Sequence, residues 1–310
     1  MRRMNDRRSG VLRRFAALCA VLVLAITSLS AFIRLSGAGL GCADWPACYG
    51  RNLRDPQQGV APPTEGATAR AAARLAHRIV AVAALLLVIT MVLACLASPP
   101  VLWREGRIAL ALLGLALFLA VLGRWSSGAR VPAVTLGNLL GGFAMLALSC
   151  RLARSGPGSP ARLARWAAFA AALLVLQITL GGLVSAGYAG LSCSGWPDCG
   201  HPVALSWQGL NPWHEPVFDA TPPINPSGAL AHMAHRAGAV LLALALLPLA
   251  VAALRSGRRA AGATLLGLLT LQLGLGLAMI LFTLPLALAL AHNLVAGLML
   301  ATLVELAHSD

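Results

Sequence analysis

Eight stretches of this chain are long and apolar enough to cross a lipid bilayer, which removes most folds from consideration. They lie at roughly 13–34, 74–97, 108–123, 132–150, 166–186, 229–254, 260–283 and 286–307. About 20 apolar residues at about 1.5 Å each bridge a hydrocarbon core of about 30 Å. Lipid offers the backbone no hydrogen-bond partner, so such segments close their own ladders as helices. Composition agrees, with 58% hydrophobic and 11% charged residues, where a soluble domain carries about 25% charge. The expected class is all-α, a polytopic membrane protein of eight transmembrane helices. The first apolar run extends to Ile33, beyond the about 7–15 residue core of a signal peptide, so it reads as a first span rather than a cleaved leader.

The net charge of +14 does not point to nucleic acid, because the apolar spans leave no soluble binding face. All 24 basic residues are arginine, and 15 of them fall on one side of the predicted topology: the leading tail, Arg104 and Arg107, Arg151 to Arg165, and Arg255 to Arg259. Basic loops stay cytoplasmic. Both termini are therefore expected in the cytoplasm, with the long loops 35–73 and 187–228 outside.

The chain repeats itself. Gly39-Leu40 and Cys42, Trp45, Pro46, Cys48 match Gly190-Leu191 and Cys193, Trp196, Pro197, Cys199 in register. Ala76-His77-Arg78 matches Ala234-His235-Arg236, and Asn138-Leu139 echoes Asn293-Leu294. Repeats define architecture. The expectation is two tandem four-helix bundles with pseudo-two-fold symmetry about the membrane normal: an N-terminal half over 1–150, a cytoplasmic linker over 151–165 with Gly156, Pro157, Gly158 and Pro160, and a C-terminal half over 166–310.

Cys42/Cys48 and Cys193/Cys199 lie in the predicted outward loops, where an oxidising compartment permits disulfides. Each pair reads either as a staple of its loop, worth about 2–3 kcal/mol, or as a redox pair. Zinc would need four neighbouring ligands, a set that His201 beside Cys199 does not complete. Cys19, Cys95 and Cys150 read as small hydrophobes within spans.

Three histidines, His77, His235 and His292, fall inside spans, where an ionisable side chain is costly and turns to the bundle interior. His77 and His235 are expected in the first turns of the second and sixth spans. His292 lies within two turns of the same surface. His235 and His292 thus share a depth on two helices of one half, the arrangement that ligates a haem iron from both faces. Arg34, Arg78 and Arg236 stand near the same surface. They either snorkel to the interface or pair with haem propionates, and the repeated His-Arg favours the second. His232 reads as a second-shell residue or an alternative ligand. His201, His214 and His308 read as ordinary polar residues.

At this point the chain resembles the haem A synthase family over nearly its whole length, on Arg34-Leu35-Ser36-Gly37-Ala38-Gly39-Leu40 running into Cys42, Asp44, Trp45, Pro46 and Cys48, on His77-Arg78, on Cys193–Cys199, on His235-Arg236 and on His292-Asn293. The resemblance implies a haem-dependent membrane oxidoreductase of the bacterial inner membrane that oxidises the C8 methyl of haem O to a formyl group. Two hydroxylations and loss of water give haem A for cytochrome oxidase. It implies His235 and His292 as ligands of a haem b that supplies electrons, and His77 as ligand on the substrate haem side. It also implies haem O synthase or oxidase assembly proteins as partners, and an oligomer is compatible with it. Two positions depart from the family's pattern. Arg74 stands where Glu is usual three residues before His77, with Glu65 twelve residues upstream. Asn138 stands where His precedes Leu-Leu-Gly-Gly. An amide is a poor iron ligand, so the first half carries one clear axial ligand. A haem b-binding electron carrier without synthase activity is the alternative, ahead of a transporter or oxidase-assembly role.

Overall fold

The structure is a computed structural model that describes residues 2–54, 67–97, 99–126, 130–154, 158–199, 205–218 and 223–309. Among them there is no strand. The helices are α1 (Arg2–Gly37), a single turn α2 (Arg51–Arg54), α3 (Ala67–Leu96), α4 (Trp103–Trp125), α5 (Pro132–Ala153), α6 (Ala161–Ala186), α7 (Ala229–Arg255), α8 (Arg259–Leu281) and α9 (Leu286–Leu306). All but α2 are long and apolar enough to cross a membrane. Two starts differ from the hydropathy pattern. α1 and α3 begin well before 13 and 74, because their Arg- and Ala-rich leaders favour helix without favouring lipid. His77 therefore lies about three turns into α3, not in its first turns. Charged flanks likewise lengthen α4 at both ends. Pro132 opens α5, and Pro160 and Pro285 sit immediately before α6 and α9, where a missing N–H costs nothing.

α1, α3, α4 and α5 pack in a ring around Leu12, Cys19, Val23, Val88, Met91 and Leu112. α6, α7, α8 and α9 pack in a second ring around Leu174, Leu246, Leu265 and Met299. α5 lies on α6, and both α1 and α5 lie on α9. In lipid the helices gain from close backbone approach rather than from hydrophobic exclusion. Gly182 and Gly297 provide it. A Cβ at Gly182 would stand 2.6 Å from Leu136 Cδ1, and one at Gly297 would stand 3.1 Å from Leu24.

The outward faces are apolar. Leu75, Ile79, Val82, Leu86 and Leu93 are exposed at helical spacing along one side of α3. His77 lies on the opposite side, toward the ring.

The two cysteine loops share one end of the molecule. There Leu35, Ala38, Leu40 and Tyr49 pack against Tyr188, Leu191, Leu284, Leu286, Ala289 and Leu290. Trp45, Tyr49, Tyr188 and Phe218 follow one another with centroids 5.4, 5.5 and 5.5 Å apart. Burial pushes the Tyr49 phenol well above the usual range. At the other end Arg258 pairs with Glu305 at 2.9 Å, and Ser159 N–H donates to His308 O at 2.7 Å. Glu305, an acidic residue in a span, is thus a structural ion-pair partner.

Candidate functional site

His235 is the seventh residue of α7 and His292 the seventh of α9. These helices occupy opposite corners of their ring, so the two imidazoles meet across its centre. Their centroids are 6.3 Å apart and their planes 68° apart. Two metal–nitrogen bonds of about 2.0–2.1 Å, with about 1.1 Å from each nitrogen to its ring centre, add to about 6.3 Å. The pair therefore fits axial ligation of one metal between them. His292 is half-buried, and Gln272 of α8 is its hydrogen-bonding neighbour. A glycine makes room for one ring. A Cβ at Gly181 on α6 would stand 2.8 Å from His235 Cε1, whereas one at Gly276 on α8 would make an ordinary contact, 3.5 Å from His292 Cε1.

A residue not singled out in the sequence holds His235. The buried Gln177 on α6 places its Nε2 3.0 Å from His235 Nδ1 and donates to His235 O at 2.8 Å. Its Oε1 has no partner and lies where a Cβ on Gly238 would collide with it. As placed, the amide donates to Nδ1, which leaves the ring proton on Nε2. Turned over, the same amide would accept Nδ1–H, which frees the Nε2 lone pair for a metal. An amide inside an apolar span was the available signal.

His232 is buried and faces elsewhere. Its Nδ1 is 3.1 Å from Ala189 O, in the loop after α6.

The three arginines have different surroundings. Arg236 donates to Gly195 O at 2.7 Å, Cys193 O at 2.8 Å and Asp198 O at 2.9 Å, so it grips the second cysteine loop. Arg78, its counterpart in the repeat, is exposed. Arg34, near the end of α1, donates from Nη1 to Ser185 Oγ on α6. Cys42–Cys48 and Cys193–Cys199 are disulfide-bonded, with Cα atoms 6.7 and 4.1 Å apart. Trp45–Pro46 and Trp196–Pro197 are both cis. Cys19, Cys95 and Cys150 are free.

The first ring holds fewer chemical groups. No second histidine ring meets His77 among the described residues. Asn138 Nδ2 donates to Val134 O of its own helix at 3.2 Å. Arg74 is exposed. Glu65 and His201 lie outside the described residues, as do Gly156 and Pro157 of the expected linker.

A family model described as cytochrome oxidase assembly protein matches residues 13–304. Among curated proteins, one named heme A synthase from Shewanella oneidensis is 33% identical over 310 aligned positions, covering 92% of each chain. Another of that name, from Methylobacterium radiotolerans, is 29% identical over 87% of this chain and 83% of its own length.

Proposed function

The chain belongs to the cytochrome oxidase assembly protein family, and on that premise we propose that it is a haem A synthase, oxidising the C8 methyl of haem O to a formyl group. The observation that carries the reading is the imidazole pair of His235 and His292 at 6.3 Å, in a chain whose relatives bear that name. We assign this pair to a haem b and His77 to the substrate haem. The arginine distribution supports a placement in the bacterial inner membrane with both termini cytoplasmic and both cysteine loops outside. The repeat supports treating the two halves as tandem units.

When bound, a haem b between the imidazoles supplies one-electron redox chemistry. The chain's own residues set its conditions. His235 and His292 supply neutral nitrogen donors from opposite corners of a bundle. Gln177 holds one of them at Nδ1, and Gly181 admits its ring. In the first ring His77 faces inward from α3, and Asn138, committed to Val134 O, offers no second donor.

That last observation favours one other reading, an electron carrier that binds haem b and makes no product. The discriminating experiment is haem extraction and mass analysis of membranes supplied with haem O. Haem A is expected only when the protein is present. Persistent haem O beside bound haem b would establish the carrier.

A smaller test concerns Gln177. Gln177→Leu keeps the volume and removes the Nδ1 partner. It is expected to speed haem release about tenfold, within the range for lost outer-shell partners of metal ligands. An unchanged rate of transfer to apomyoglobin would remove Gln177 from the site.

A further inference from the structure

We propose that the haem site between His235 and His292 is completed by the other half of the chain, with Arg34 of α1 as its partner for a haem propionate. The inference rests on the reading of those two histidines as haem ligands, and deepens it.

Position comes first. Arg34 belongs to the ring of α1, α3, α4 and α5, yet its Nη1 donates to Ser185 Oγ on α6. Ser185 follows Gly181 by four residues, so both lie on one face of α6, about one turn apart. Gly181 is the position whose missing Cβ accommodates the His235 ring. The guanidinium therefore stands about one helical turn from the His235 imidazole, on the side of the cysteine loops.

Charge comes second. The ion pairs among the described residues are Arg51–Asp44, Arg130–Glu215 and Arg258–Glu305. Arg34 has no carboxylate in that set. Its neighbours are a serine hydroxyl and the phenols of Tyr49 and Tyr188. A half-buried guanidinium without a counter-charge is served by a carboxylate offered in a fork geometry. Arg236, the other guanidinium beside His235, is spent on the carbonyls of Cys193, Gly195 and Asp198.

The roof is the third observation, independent of the first two. Leu35 at the end of α1 and Ala38, Leu40 and Tyr49 of the first loop share one cluster with Leu286, Ala289 and Leu290, the turns of α9 that lead into His292. A Cβ on Gly41 would touch Leu286 at 3.6 Å. The loop closed by Cys42–Cys48 thus covers the entrance to the second ring.

The test uses the full-length protein loaded with haem b, and follows the bis-imidazole absorption as haem passes to apomyoglobin. Arg34→Gln is expected to release haem at least about tenfold faster, with the spectrum of the bound fraction unchanged, and Arg34→Lys to fall between. A second measurement does not depend on how the variant folds. In the wild-type protein, haem dimethyl ester, which has lost its carboxylates, should leave at least about tenfold faster than haem. In Arg34→Gln the two should leave at similar rates. Equal release of ester and free acid from the wild-type protein, or an undiminished difference in Arg34→Gln, would overturn the inference. So would a loss confined to haem bound through His77. If His235→Ala and His292→Ala keep the bis-imidazole spectrum, the ligand reading itself fails. If they lose it while Arg34→Gln behaves as wild type, only the composite site fails.

Discussion

His292→Ala is expected to abolish the low-spin haem spectrum of the purified protein, and His235→Ala to do the same. The two rings meet at 6.3 Å, and among the described residues no other histidine ring meets them. His232, three residues before His235, places its Nδ1 3.1 Å from Ala189 O, in the loop after α6. Either variant leaves one donor, and a single imidazole gives a five-coordinate, weakly held haem. Reduced-minus-oxidised spectra and pyridine haemochrome stoichiometry report the outcome. An intact low-spin band in either variant would sink the assignment.

Arg236→Ala is expected to unfasten the second cysteine loop. Its guanidinium makes three bonds to backbone carbonyls of that loop, beside the packing of Cys193 and Cys199 on Ala229 and Met233 of α7. Charge-assisted bonds of this kind contribute about 1.5–3 kcal/mol each when well buried. Part of this site is open to solvent, so about 2–4 kcal/mol in total is the reasonable expectation. Reduction of Cys193–Cys199 by a small thiol, followed by labelling of the released sulfurs, should then accelerate at least about tenfold, because access limits exchange. Arg236→Lys should recover only part of the protection, since an ammonium cannot span three carbonyls in a plane. Arg78→Ala supplies the contrast. Arg78 is exposed, and its loss should leave the labelling rate of Cys42–Cys48 unchanged. Equal protection in Arg236→Ala and wild type would mean that the loop holds itself.

Much of the fold was legible before the structure. Lipid imposes a length and a composition on every crossing, so the eight helices stand out by hydropathy alone. The ends of α1 and α3 did not, because Arg and Ala extend a helix without adding hydropathy. His235 and His292 could be paired in advance, since both sit at the same distance from a loop on helices of one half. What sequence spacing could not give was the direction of long side chains. Arg34, Arg78 and Arg236 look alike in a repeat, yet one reaches α6, one is exposed and one turns back into a loop. Gln177 was also hidden. Its role depends on which face of α6 meets α7, and helix contacts of that kind are set by where glycines such as Gly182 and Gly297 let backbones approach.

α9 lies against α1, α5, α6 and α8 and carries His292. A fragment ending after Arg255 would keep both loop disulfides, the Arg236 clasp and His235, yet lack His292 and the helix on which both rings lean.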